Sequence, residues 1–205
     1  MARRPIRVIK ALAAAILSVA AAMPVCAADI EGVRVEERIT LANGPQLVLN
    51  GAGVRTKLGF VKLYVGALYL PAKNASAEAI LKDPVAKRVS MFVLADEITA
   101  RELVASLNGS LDANHIPLQM ALIEARLRQL NDMMLKVGVL KKGAVVTLSY
   151  VPASGTHIHI NGEEKLVIKG EDFFRAMLRI WIGDKPVDGR LRDAMLGGDG
   201  SVRLF

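Results

Sequence analysis

The sequence predicts one α+β domain, and three observations carry that expectation. Its 205 residues are 52% hydrophobic and 23% charged, enough apolar material for a core and too much for a disordered or collagen-like chain. Strand-like runs broken by turn residues fill the first half and return after residue 143,. Between and after them, apolar residues recur at helical spacing,. There is no internal repeat, low-complexity linker or charge run to divide the chain,.

The N-terminus reads as a segment apart. Arg3, Arg4, Arg7 and Lys10 precede an apolar stretch from Ala11 to Val25, and Cys26-Ala27-Ala28 follows. A basic start, a short apolar run and small residues before a cut mark a secretory signal peptide. Residues 1–27 are therefore expected to be removed near Ala27, leaving a single domain over 28–205 and export to the periplasm. An uncleaved anchor is the alternative, though the run, interrupted by Ser18 and Pro24, is short for a membrane span,. Removal takes the net charge from +7 to +3 and leaves 178 residues. The case for a nucleic-acid partner goes with those charges. Cys26 goes too, which excludes disulfides, thiolate metal sites and a cysteine nucleophile,.

The elements follow in order. Val33 to Ile39 reads as a strand, Asn43-Gly44-Pro45 as a turn and Gln46 to Asn50 as a short strand,. Gly51 to Gly59 reads as a glycine-rich connection, and Phe60 to Leu70, closed by Pro71, as the longest strand. Ser76 to Leu81 suits a short helix and Arg88 to Leu94 a strand. Thr99 precedes a helix to Leu107, with Glu102 at capping-box spacing,. Pro117 opens a longer helix, striped by Met120, Ile123, Leu127, Leu130, Met134 and Val137,. Ala144–Val151 and Thr156–Ile160 read as strands, and Asn161-Gly162 turns the chain into Glu164–Lys169,. A last long helix over Glu171–Ile182 buries Phe173, Phe174, Met177, Leu178 and Trp181, and Leu191–Leu196 adds a further turn,.

Few residues offer chemistry. His157 and His159 lie two apart on a strand and share a face, but no third metal ligand with diagnostic spacing accompanies them,. We expect no metal and no cofactor. Gly51-Ala52-Gly53 lacks the third glycine and the following helix of a dinucleotide site,. No serine elbow, phosphate loop or H-E-x-x-H is present,. Within Glu36-Glu37 and Glu163-Glu164 the side chains of neighbouring strand residues point apart, so neither pair reads as an acid–base couple,. Dispersed basic residues and few aromatics give no stacking platform for nucleic acid,. What remains is Arg55, whose guanidinium would suit a carboxylate or an oxyanion in the space between sheet and helices, or else a surface or structural ion pair. On a regular strand Phe60, Lys62, Tyr64, Gly66 and Leu68 would share one face,.

Asn50-Gly51-Ala52-Gly53-Val54-Arg55 followed by the run from Phe60 to Leu70 resembles the opening signature of the chalcone isomerase fold. Asn161-Gly162-Glu163, Phe173-Phe174-Arg175-Ala176 and the stretch from Ile180 to Val187 support the resemblance, which is closer to exported bacterial chalcone isomerase-like proteins than to the plant enzymes. It implies an open-faced β-sandwich, a large antiparallel sheet with helices layered on one face and a pocket between. It also implies that Arg55 matches the arginine that stabilises an enolate in the isomerases, and that in fatty-acid-binding members holds a carboxylate together with a tyrosine. Two departures bear on activity. Tyr64 stands where the enzymes have a threonine, and Ile116–Ile123, aligned with their tyrosine and asparagine, has only Gln119 as a polar residue.

The expected function is therefore a non-catalytic periplasmic protein that binds a small apolar carboxylate such as a fatty acid. Arg55 and Tyr64 would take its head, and the Met120–Met134 helix face its tail. A chalcone isomerase-type intramolecular lyase, with Arg55 as the electrophilic group, and an interaction module with a filled pocket are the alternatives. Ligand identity, oligomeric state and any protein partner are not written in the sequence.

Overall fold

The computed structural model describes residues 27–42 and 44–198. The segment read as a signal peptide lies outside them but for Ala27, as do Asn43 and the last residues of the expected domain. Eleven strands are described: β1 (Ala27–Ile30), β2 (Val33–Glu36), β3 (Arg38–Thr40), β4 (Gln46–Lys57), β5 (Val61–Leu70), β6 (Lys87–Val93), β7 (Glu97–Thr99), β8 (Val139–Lys141), β9 (Val145–Val151), β10 (Gly155–Ile160) and β11 (Glu163–Ile168). The helices are α1 (Ala77–Lys82), α2 (Ala100–Asn114), α3 (Pro117–Val137), α4 (Glu171–Ile182) and α5 (Gly189–Met195).

Seven strands form one sheet in the order β11-β10-β9-β6-β5-β4-β3, with every neighbouring pair antiparallel. The chain leaves the sheet between β6 and β9, lays α2 and α3 on one face and returns through the small β7–β8 pair. The main core fills the space between that face and the helices, centred on Leu68, Val89, Leu111, Phe173, Met177 and Leu178. This is the helix-covered antiparallel sheet expected. Its other face is partly covered as well. The β1–β2 hairpin packs Ile30 and Val35 against Leu47, Val65, Ala67 and Tyr69, and the Tyr69 hydroxyl donates to the Glu36 carbonyl at 3.0 Å.

The helices form where their signals stand. Thr99 and Glu102 make the capping box of α2, and Ser76 caps α1,. In α3 the residues Ile123, Leu127, Leu130 and Met134 are buried as the stripe requires, while Met120 and Val137 are half-buried. Helix α2 runs beyond Leu107 to Asn114, because Leu111 continues its apolar face through Gly109,.

The strands depart from expectation in two places. Val33–Ile39 is not one strand: the chain breaks at Glu37, so β2 pairs with β1 and β3 joins the large sheet. The stretch from Gly51 is not a connection but the second half of a 12-residue strand. The pairing with β5 skips Asn50, which is an extra residue in β4. An extra residue reverses which side chains face which way. Before it, Leu47 and Leu49 face the hairpin core. After it, Ala52 and Val54 do, and Gly51, Gly53 and Arg55 face the helices. The Asn50 side chain holds this bulge, donating to the carbonyls of Met195 at 2.8 Å and Asn74 at 2.9 Å and accepting from Asn74 N–H at 2.7 Å.

The glycines that follow let α5 lie on the sheet at backbone distance. A Cβ on Gly51 would stand 2.0 Å from the Ala194 carbonyl oxygen. Replacing Gly51 by alanine is therefore expected to destabilise the fold by about 1–3 kcal/mol or more, since the obstacle is backbone. Gly109→Ala, with open space around the helical glycine, is expected to stabilise by about 0.5–1 kcal/mol. Urea unfolding of the two variants checks both signs.

Candidate functional site

The site is built on the paired strands β4 and β5. Arg55 and Tyr64 are directly opposite in their register, so both project to the helix face,. The register shifts again just past this pair, leaving Leu63 as an extra residue in β5. Tyr64 nevertheless keeps the face shared with Gly66 and Leu68, as on a regular strand.

Tyr64 is buried beneath the helices, and its hydroxyl accepts a hydrogen bond of 2.9 Å from the Trp181 indole N–H of α4. An indole nitrogen only donates, so the tyrosine proton remains to be given elsewhere. Burial raises the phenol pKa and outweighs the neighbouring Arg55 charge and the Trp181 hydrogen bond, which lower it,. The hydroxyl is therefore a donor at neutral pH. The Arg55 guanidinium carbon lies 5.5 Å from the Tyr64 ring centroid, in cation–π range,.

Arg55 is half-buried. One terminal nitrogen donates to the Ser106 hydroxyl of α2 at 2.9 Å. Its Nε is buried with no partner, and no carboxylate within ion-pair distance of Arg55 occurs among the described residues. The next residue, Thr56, gives both its N–H (2.9 Å) and its hydroxyl (3.1 Å) to the Asp188 carboxylate, which also caps α5. Burial pushes the Asp188 pKa up, but the N–H donors of Thr56, Leu191 and Arg190 and the Thr56 hydroxyl outweigh it and hold the group below the ordinary 3.8,.

Arg55, Tyr64, Ser106 and Trp181 stand together on a slot between sheet and helices. Its other walls are apolar and rich in methionine: Met91, Met133, Met134 and Met177, with Leu130 and Ile160 among them. The slot is narrow. Its cavity volume is about 70 Å³.

The expectations for this region are met in part. Arg55 and Tyr64 do come together, and the C-terminal half of the α3 stripe does line the slot. Ile116–Ile123 does not face it: Ile116, Leu118 and Leu122 are exposed, and Gln119 spends its side chain capping α3. The helix residue that meets Arg55 is Ser106, which the sequence reading missed. Its signal was a polar residue inside the Leu103–Leu107 stripe.

The remaining candidates lie elsewhere. His157 and His159 project from the sheet face away from the helices, next to Glu164. His157 bonds Ser154 and Glu164 at 2.7 Å each, so both ring nitrogens are engaged. No cluster of three or more metal-type ligands occurs among the described residues. Gly51 and Gly53 serve the α5 contact.

A large antiparallel sheet roofed by helices is the architecture expected of the chalcone isomerase-like fold. The chalcone isomerase-like family matches residues 27–197, and the chain belongs to that family. Among solved structures it is similar to a fatty-acid binding protein of Arabidopsis thaliana, at 14% identity and a TM-score of 0.59, over 78% of this chain and 96% of that one. At that identity the likeness speaks for the fold. A search of the curated proteins finds no match.

Two outcomes are expected. Tyr64→Phe leaves the Trp181 N–H buried without an acceptor and should cost about 1–3 kcal/mol in denaturant unfolding. Asp188, lowered in the folded state, contributes stability that is complete above pH 3.8 and lost as the pH falls through its depressed value,. In acid titrations, Asp188→Asn should therefore flatten the stability curve below about pH 4.

Proposed function

We propose that the protein is a non-catalytic periplasmic binding protein for a small apolar carboxylate, a fatty acid being the simplest case. One observation carries the reading: a half-buried guanidinium that has, among the described residues, neither a partner for its Nε–H nor a carboxylate within ion-pair distance lines an apolar slot. A charge withdrawn from water needs a counter-charge and acceptors for its protons. A ligand carboxylate supplies both, and charge-assisted N–H···O bonds are among the strong ones. The Tyr64 hydroxyl, which only accepts from Trp181, would add its own proton to them.

The tail would lie among the methionines. Their unbranched chains reshape at low cost, so the thin slot can widen along an acyl chain. Export is supported by the basic, apolar and small-residue order of residues 1–27,. The absence of catalysis is supported by Tyr64 at the enzymes' threonine position and by the outward turn of Ile116, Leu118 and Leu122.

The test is native mass spectrometry of the protein purified from the periplasm without detergent, alongside Arg55→Ala and Arg55→Gln. The expected result is a co-purifying mass of fatty-acid size in the parent, lost in both variants, with unchanged circular dichroism. Retention of the same mass by both folded variants would overturn the role of Arg55, and a clean mass for the parent would favour a filled pocket. Chalcone absorbance should decay at the buffer rate. A faster decay abolished by Arg55→Gln would make the protein an isomerase.

A further inference from the structure

The turn between β4 and β5 presents two large apolar side chains to solvent. Leu58 is 79% exposed and Phe60 75%, and Val61 beside them is also exposed. Lys57 and Lys62 flank them. Lone exposed hydrophobics are ordinary, but an adjoining set at the end of a protruding hairpin is not. The backbone sharpens the point. Leu58 has φ 55°, followed by Gly59 at 80°, a turn that ordinarily takes asparagine or aspartate at its first position. A leucine held in the left-handed region, with its side chain in water, gains nothing for the fold from either circumstance.

The tip continues the β4–β5 strand pair just beyond Arg55 and Tyr64, which line the slot. Ala100 and Leu103 of the first turn of α2 line the slot, together with Gly138 and the exposed Val139. Charge near the tip is mixed. Lys62 bonds Glu31 at 2.7 Å across an exposed pair, while Lys57 pairs with no carboxylate among the described residues. A strongly cationic surface is not what this end offers. It offers an apolar wedge with an amine on either side, the arrangement that seats in an interface with the amines lifted to the phosphates.

We propose that the Leu58–Phe60 tip docks the protein on a phospholipid bilayer, with Lys57 and Lys62 at the phosphate level and the mouth of the slot turned to the membrane. No helix among the described residues is long and apolar enough to cross a membrane; a contact made by the tip alone is peripheral. Docking stands apart from carboxylate binding, because it is measured without cargo.

All described elements lie between residues 27 and 195, so the probe is the chain from Ala27 onward. It is floated with phosphatidylcholine vesicles and with vesicles containing phosphatidylglycerol, beside Leu58→Asn/Phe60→Ser and Arg55→Ala. Asparagine suits the left-handed position, so the double variant should melt no lower than the parent. The expected result is vesicle binding by the parent with and without phosphatidylglycerol, weaker by about tenfold or more in the double variant. Arg55→Ala should bind vesicles as the parent does, which separates failure of the surface from failure of the pocket. No vesicle binding by the parent, or equal binding by the double variant, would overturn the proposal. So would a dimer in sedimentation that the double variant dissolves while vesicles remain unbound.

Discussion

The extra residue at Asn50 is the constraint on which the rest of this structure depends. Side chains on a strand alternate strictly, so one inserted residue exchanges the faces of everything beyond it. Without it Arg55 would share a face with Leu47 and Leu49 and meet the β1–β2 hairpin. With it Arg55 meets α2. The bulge is a tertiary feature: the three hydrogen bonds of the Asn50 side chain tie β4 to the Asn74 loop and to the end of α5. A buried amide satisfied on both its ends fixes one register against its neighbours.

The same stretch explains why α5 and the site are one unit. Bare backbone at Gly51, Gly53 and Gly66 admits Ala194, Leu191 and Met195 into contact with the sheet. At the other end of α5, Asp188 takes the N–H and hydroxyl of Thr56. Arg55 therefore sits between two anchors, and α4, leading into α5, brings Trp181 to Tyr64. Ordinary interactions position the pair, so its geometry should be rigid even though the slot beside it is soft.

The sequence revealed the helices and the hairpin well, because their signals are local. Thr99 with Glu102, the α3 stripe, Asn161-Gly162 and the Phe173–Trp181 face act within a turn or two of themselves. The strands were harder where contacts set them from afar. Gly51-Ala52-Gly53 looks like a break in composition, and only the arrival of α5 makes glycine the right residue for a central strand,. Arg55 and Tyr64 were legible as a pair through resemblance, and their common face only once two bulges were known. Ser106 lies inside the expected helix, but nothing local says that it meets Arg55, which comes from a strand 51 residues away.

The soft slot and the exposed tip meet in one energetic argument. An acyl chain in water carries an unfavourable hydration cost of about 0.8 kcal/mol for each methylene, and a carrier that drew its ligand from solution would depend on a vanishingly small free concentration. A mouth held at a bilayer lets the tail pass from one apolar medium to another, so that cost largely cancels. What then decides capture is the head. In the interface the carboxylate is already partly stripped of water, and under the proposed function it would gain at Arg55 a guanidinium whose Nε–H has no other partner among the described residues,. On this view affinity for the tail matters little, which suits walls made of methionine. If both proposals hold, selectivity would rest on the charged end, and the Leu58–Phe60 tip would contribute by placing that end where the ligand already is.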